Sequence, residues 1–180
     1  MILIAVGSNL NSDFHGNPLE NCLHAIELLK KEFKLDKVSK FYETEPIPKS
    51  SQPWFVNGVV SVKTKSSPEK VLDYLMDIEK SLKRVRRKKN EPRVIDLDLL
   101  VYNRKIMNND SLILPHPRMH LRKFVMQPIC DIDENWIHPT LNTNANKLIK
   151  DLANQKISNI NIKLYHGKSY NRRLHSIYSK

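Results

Sequence analysis

The chain of 180 residues has only four glycines, and none of them falls in a GxxxxGK[ST] or GxGxxG pattern. That excludes a phosphate-cradling P-loop and a dinucleotide-binding turn, so any nucleotide must be held by side chains. Cysteine is almost as scarce. Cys22 and Cys130 are too few for a disulfide framework and point to a reducing compartment. No apolar run approaches the ~20 residues of a membrane span. The opening MILIAVGSNL has no basic flank and too short an apolar stretch for a signal peptide, and reads as a first strand. A soluble, cytoplasmic protein with no membrane partner is expected. Acid is also in short supply, with 19 Asp plus Glu against 30 Lys plus Arg and a formal charge of +11. Such a surface attracts anions, whether nucleic acid, membrane or phosphorylated small molecules. The excess is concentrated in KRVRRKK at 83 to 89 and in residues 156 to 180, which carry six Lys/Arg and no acid. A lysine-rich composition overall accounts for that tail equally well.

What is present is a globular chain, 40% hydrophobic and 27% charged, of a length that suits one domain. Ile2 to Val6 reads as a buried strand ended by the turn signal GSN. Asn17 as N-cap, Pro18 at N1 and Glu20 at N3 open a helix whose stripe is Leu19, Cys22, Leu23, Ile26, Leu29 and Phe33. KVSKFYET at 37 to 44 reads as a strand, EPIPKSSQP as a proline-interrupted loop, and FVNGVVSV at 55 to 62 as a second β-branched strand. Ser67-Pro68-Glu69 opens another helix, with Val71, Leu72, Leu75, Ile78 and Leu82 as its stripe, and the strand DLDLLVY follows the basic block. The order β-α-β-β-α-β predicts an α+β fold of ferredoxin-like type, an antiparallel sheet with both helices on one face. Beyond it come a loop, a strand-like ILP and a C-terminal helical extension, of which NANKLIKDLANQ is the clearest part. The expected division is one domain over 1–155 and a basic tail over 156–180.

PRVIDLDLLVY, residues 92 to 102, places two aspartates inside an apolar strand. A buried carboxylate is costly unless it is paired or binds a metal. Side chains alternate along a strand, so Asp96 and Asp98 share one face while Ile95, Leu97, Leu99 and Val101 take the other. Their Cα atoms are roughly 7 Å apart from the strand rise, within reach of shared cations. Hard oxygen ligands without a His or Cys cluster favour Mg²⁺, whose shell is completed by water and substrate phosphates. The plainer alternative is a surface pair matched to the lysines upstream. Arg93, three residues before Asp96, and Arg84, Arg86, Arg87, Lys88 and Lys89 tip the balance, because metal on one side and arginine forks on the other suit a polyphosphate.

VGSNL, FYETEPI, PWFVNGVV, IEKSLKRVRR, EPRVIDLDLL and LPHPRMHLRKFVMQPI occur in that order over residues 1 to about 155. Together they resemble the 6-hydroxymethyl-7,8-dihydropterin pyrophosphokinase family of folate biosynthesis. The resemblance implies a ferredoxin-like enzyme that moves pyrophosphate from ATP to the pterin hydroxymethyl group and releases AMP. It implies that Asp96 and Asp98 hold two Mg²⁺ ions, and that Arg84, Arg86 and Arg93 hold ATP and stabilise charge. His116 and Arg122 would meet the nucleotide phosphates, and Thr44, Ile47, Phe55, Asn57 and Phe124 would form the pterin pocket. The chemistry suits those types. A flat bicycle takes aromatic faces, and its amide-like edge takes the donor–acceptor pair of a carboxamide. A monomer acting on small molecules, with no nucleic-acid partner, is expected.

The chain departs from the family in places. Family members usually carry a small residue before the PR of EPR, where Glu91 stands here, and this loop is about one residue short. Phe55 replaces a common tyrosine, and Ser111 falls among altered positions before LPHP. Two other functions share the element order. An RNA-recognition domain would need an aromatic run on its central strands, which is missing. A two-metal nucleotidyltransferase would also use paired carboxylates, but not the pterin-type residues.

Overall fold

The computed structural model describes residues 1–84 and 91–161. The first strand, β1 (Ile2–Ser8), is apolar at nearly every position because both of its faces are covered. Helix α1 (Pro18–Glu32) starts where local chemistry sets it. The Asn17 side chain accepts from Leu19 N at 3.0 Å and Glu20 N at 3.1 Å, and Glu20 Oε2 returns the bond to Asn17 N at 2.9 Å. This reciprocal cap contributes about 1 kcal/mol. All six residues of the predicted stripe are buried. Helix α2 (Pro68–Ser81) repeats the plan with Ser67 as N-cap, and it buries Val71, Leu75 and Ile78.

The remaining strands are β2 (Lys34–Val38), β3 (Tyr42–Thr44), β4 (Phe55–Lys63) and β5 (Asp96–Tyr102), a small hairpin of β6 (Met107–Asn108) and β7 (Ile113–Leu114), and β8 (Ile157–Asn159). The main sheet runs β5-β1-β4-β3-β8, with β2 also paired to β4. The pairs β1–β4, β1–β5, β2–β4 and β3–β4 are antiparallel. That is the predicted ferredoxin-like order. The segment 37 to 44 differs from its prediction, for it is two strands and not one. Ser39 stands between them, its hydroxyl accepting from Val59 N at 2.9 Å. The break lets Phe41 turn fully into the core over Gly58, where a Cβ would lie 2.8 Å from the ring. Past residue 155, β8 pairs with β3, and Ile160 N donates to Phe41 O at 2.9 Å.

Two cores result. Between the sheet and α1 and α2 lie Ile4, Val6, Leu23, Ile26, Leu75, Leu97 and Leu99. On the opposite face, helix α3 (Lys123–Ile132) and helix α4 (Ala145–Lys150) cover Leu3, Val59, Leu100 and Val101 with Val125, Met126 and Ile129. Val101 corrects the alternation expected for β5. The register slips between Leu3 and Ile4, which pair with Val101 and Leu99, so Leu100 is an extra residue. Such a bulge sends two consecutive residues, Leu100 and Val101, to the same core. Asp96 and Asp98, before the bulge, keep the alternation. They project on the α3 side, opposite Leu97 and Leu99. Among the described residues, no helix is long and apolar enough to cross a membrane.

Candidate active site

Three neighbouring strands build the floor of a cleft on the α3 side of the sheet. Gly7 of β1 pairs with Asp96 on one side and Asn57 on the other, and Ala5 pairs with Asp98. Asn57 in turn faces Tyr42, and Thr44 faces Phe55. A cross-sheet row therefore runs from carboxylate to carboxamide with a glycine between them. The gap at Gly7 is required, since a Cβ there would lie 2.6 Å from Asn57 Oδ1. The cleft above this floor has a volume of about 330 Å³. Thr44, Ile47, Phe55, Asn57, Arg84, Arg93, Asp96, Asp98, His116, Arg122 and Phe124 all line it. With Gly7, which also lines it, residues from six separated sequence blocks converge on one site. Arg86, also expected there, lies outside the described residues, as do Arg87, Lys88 and Lys89.

The cleft has a polar end and an aromatic end. At the polar end Asp96 is held by two arginines: Arg84 Nη1 donates to its Oδ1 at 2.5 Å and Arg93 Nη1 to its Oδ2 at 2.8 Å. Arg84 is itself anchored by Glu79, a carboxylate only 3% exposed. Glu79 Oε1 also accepts from Leu97 N at 2.8 Å. Asp98 is less well neutralised, with Arg122 Nη1 at 3.9 Å. Loss of solvent, and then the Asp96 charge, pushes the Asp98 carboxyl up to about 6. Burial, and then Arg122 and Arg118, holds the His116 imidazole down to about 4, so it is neutral at pH 7. Its Nδ1 accepts from Arg118 N at 3.2 Å, which leaves the ring proton on Nε2 as a hydrogen-bond donor.

At the aromatic end, Asn57 is fixed by a 2.8 Å bond from its Nδ2 to Thr44 Oγ1, leaving its amide oxygen for another partner. Phe55 and Phe124 are partly exposed walls and not core residues. Each carries an arginine over its ring, Arg93 at 5.6 Å from the Phe55 centroid and Arg122 at 5.5 Å from that of Phe124. The arginines therefore sit at the boundary between the two ends.

The donor set suits magnesium. Two carboxylates on one strand face offer only hard oxygens, and Asp98 lacks a close countercharge. Among the described residues no cluster of three or more His, Cys, Asp or Glu side chains is arranged around a metal. A cation here would need phosphate and water oxygens to complete its shell.

Sequence reasoning missed several residues of the cleft. Gln52 and Arg118 line it, and Glu79 anchors it from beneath. Glu79 had a readable signal: with Leu75, Ile78 and Leu82 it falls at i, i+3, i+4 and i+7, within the apolar stripe. An acid in that phase is buried and requires a partner.

The family model described as 7,8-dihydro-6-hydroxymethylpterin-pyrophosphokinase (HPPK) matches residues 3–134. The chain belongs to the 7,8-dihydro-6-hydroxymethylpterin-pyrophosphokinase family. Within that family it is 37% identical over 158 residues to the Haemophilus influenzae 2-amino-4-hydroxy-6-hydroxymethyldihydropteridine pyrophosphokinase, covering 88% of this chain and 96% of that protein. It is 39% identical over 169 residues to the folic acid synthesis protein fol1 of Pneumocystis carinii, covering 93% of this chain. The match spans only 22% of that longer protein. In fold it is similar to a Plasmodium falciparum HPPK-DHPS triple mutant, with a TM-score of 0.68 at 15% identity, covering 85% of this chain and 43% of the other.

Proposed function

We infer that this chain transfers pyrophosphate from ATP to 6-hydroxymethyl-7,8-dihydropterin, giving AMP and the pterin diphosphate of folate biosynthesis. One observation carries the reading. An arginine-rimmed carboxylate pair opens directly into a pocket with two partly exposed rings and a fixed carboxamide, which supports a polyphosphate site beside a flat heterocycle site. The catalytic unit takes in 1–155, with β8 completing its sheet, acts as a cytoplasmic monomer on small molecules, and involves no nucleic acid.

In this reading the pterin lies between Phe55 and Phe124, with Ile47 at the mouth and the Asn57 and Thr44 side chains orienting its edge. The pterin hydroxyl oxygen forms a bond to the β-phosphorus. The bond from that phosphorus to the oxygen shared with the α-phosphate breaks, its electron pair leaves with AMP, and the hydroxyl proton is lost. Asp96 and Asp98 would hold two Mg²⁺ ions, which supply charge neutralisation and alignment along the phosphates. Arg84 and Arg93, which donate to Asp96, would also offer donors to the phosphate oxygens beside it. Arg86 would extend this grip. Arg122, and His116 through its neutral Nε2–H, add donors to the phosphates. No side chain in the cleft stands out as general base, so positioning carries most of the rate.

Three measurements test these assignments. Purified protein with Mg²⁺, ATP and the pterin should release AMP only when pterin is present, and Asp96→Ala should abolish it. ADP in place of AMP would mean ordinary phosphoryl transfer. Because burial and the Asp96 charge push the Asp98 carboxyl up to about 6, a metal bound there would have to displace a proton below that pH. Mg²⁺ or Mn²⁺ affinity should therefore be flat above about pH 6.5 and fall roughly tenfold per unit below about 6, read by calorimetry. A pH-independent affinity from 5 to 8 would remove Asp98 from the ligand set. Finally, Gly7→Ala should displace the Asn57 carboxamide, raising the pterin Kd by roughly tenfold or more at a stability cost of about 1–3 kcal/mol. ATP affinity should not change. Unaltered pterin binding would show that Asn57 does not need its present position.

A further inference from the structure

We propose that Asn9 is a positioning residue that holds the two substrate subsites in register, each end of its carboxamide serving one of them. The inference rests on the assignment of pterin and phosphate ends given above. Asn9 follows directly on β1 and is only 2% exposed. Its Oδ1 accepts from Arg93 N at 2.7 Å, while its own N–H and that of Leu10 donate to Arg93 O at 3.1 and 3.3 Å. The peptide groups of the arginine that grips Asp96 are thus clamped on both sides. Its Nδ2 donates to Pro53 O at 3.1 Å and to Gln52 Oε1 at 3.3 Å. Those residues end the proline-interrupted loop, with only Trp54 between them and Phe55. The Arg93 guanidinium then lies over the Phe55 ring, which closes a circuit from Asn9 through the loop to the ring, the arginine and back.

The circuit explains the residue type. It needs an acceptor and a donor on two separate atoms of a short buried stem, which a carboxamide has; a hydroxyl carries both on one oxygen, and an ionised carboxylate has no donor. Being buried and fully bonded, Asn9 transmits a shift of the loop to Arg93 and back without slack. Pterin seating against Phe55 and phosphate binding by Arg93 then assist one another, and the assistance is reciprocal as linkage requires.

The test separates the two ends of the side chain. Kd values for pterin and for a non-hydrolysable ATP analogue with Mg²⁺ are measured singly and together in the wild type, Asn9→Asp, Asn9→Ala and Gln52→Ala, with Asn57→Ala as control. Asn9→Asp keeps the acceptor for Arg93 N but sets an anionic oxygen against the Pro53 carbonyl and Gln52 Oε1. It should raise the pterin Kd by about 30-fold and leave the analogue's Kd, measured alone, within about twofold. Asn9→Ala should weaken both and bring the mutual enhancement close to one. Gln52→Ala, which leaves the buried carboxamide in place, should raise the pterin Kd by a smaller factor of about threefold, and it keeps the test open if the Asn9 variants unfold. Equal shifts in both constants for Asn9→Asp, or no shift with any variant while Asn57→Ala still weakens pterin, would overturn the inference and leave the pocket assignment intact. Failure of the wild type to bind pterin, or indifference to Asn57→Ala, would overturn both.

Discussion

Asp96→Ala should lower turnover by about 10³-fold, equivalent to about 4 kcal/mol of transition-state stabilisation, with the fold retained. Asp96 is the best-connected carboxylate of the cleft, since both of its oxygens bond to arginines. Those arginines supply its countercharge. Their removal from Asp96 gives the substitution a distinctive signature. Without its internal anion, the Arg84–Arg93 pair is freed for phosphate, so metal-free ATP should bind at least as tightly to the variant as to the wild type. Turnover and metal dependence should collapse at the same time. Asp96→Asn, which keeps one acceptor but no charge, should lose nearly as much activity. Retention of more than about a tenth of the rate in either variant would show that Asp96 is a structural partner of the arginines and not a metal ligand.

Glu79→Ala should cost about 3–5 kcal/mol of stability, because it strands a guanidinium in the protein interior. The Arg84 side chain is 8% exposed, and its two carboxylate partners are Glu79 and Asp96. Removing Glu79 also leaves Leu97 N–H without its acceptor at the start of β5. For a chain of this size the loss corresponds to a fall of roughly 10 °C or more in Tm. Glu79→Gln keeps an acceptor for Leu97 and removes only the charge, so it should cost about half as much. Equal losses for Ala and Gln would assign the effect to the ion pair alone, and a loss under about 1 kcal/mol for Ala would mean that solvent reaches Arg84. The substitution should also weaken ATP, since Arg84 would then be aimed by Asp96 only.

Much of this site was legible in the chain before any fold was known. Asp96 and Asp98 declare themselves by polarity in an apolar strand, and alternation assigns them one face. Asn17-Pro18 and Ser67-Pro68 set both helix starts through bonds spanning three residues or fewer. The stripes of α1 and α2 follow from a period of 3.6 residues, and the order of elements then admits the ferredoxin-like sheet. The family pattern of six blocks extends this to residue types. In the structure, eleven of the twelve residues expected at the site line one cleft, and the twelfth, Arg86, lies outside the described residues.

Other features depended on partners far along the chain. Asn9 reads as part of a turn in VGSNL, and its role arises from bonds to residues 44 and 84 positions away. The phase of α2 marks Glu79 as a buried acid, but its partners, Arg84 and the Leu97 N–H, are supplied only by packing. The bulge at Leu100, which moves Val101 to the α3 side, is a matter of register between β1 and β5. The split of residues 37 to 44 turns on Phe41 packing over Gly58, which has no Cβ to block it. Periodicity, caps and the charge of a strand residue are properties of a few consecutive positions, so sequence alone determined both long helices, the central strands, the carboxylate pair and the family. Which polar groups satisfy one another, and how the aromatic end of the cleft is tied to its polar end, is decided only when distant segments share one dry interface. There an unpaired donor or charge costs free energy that no local pattern records.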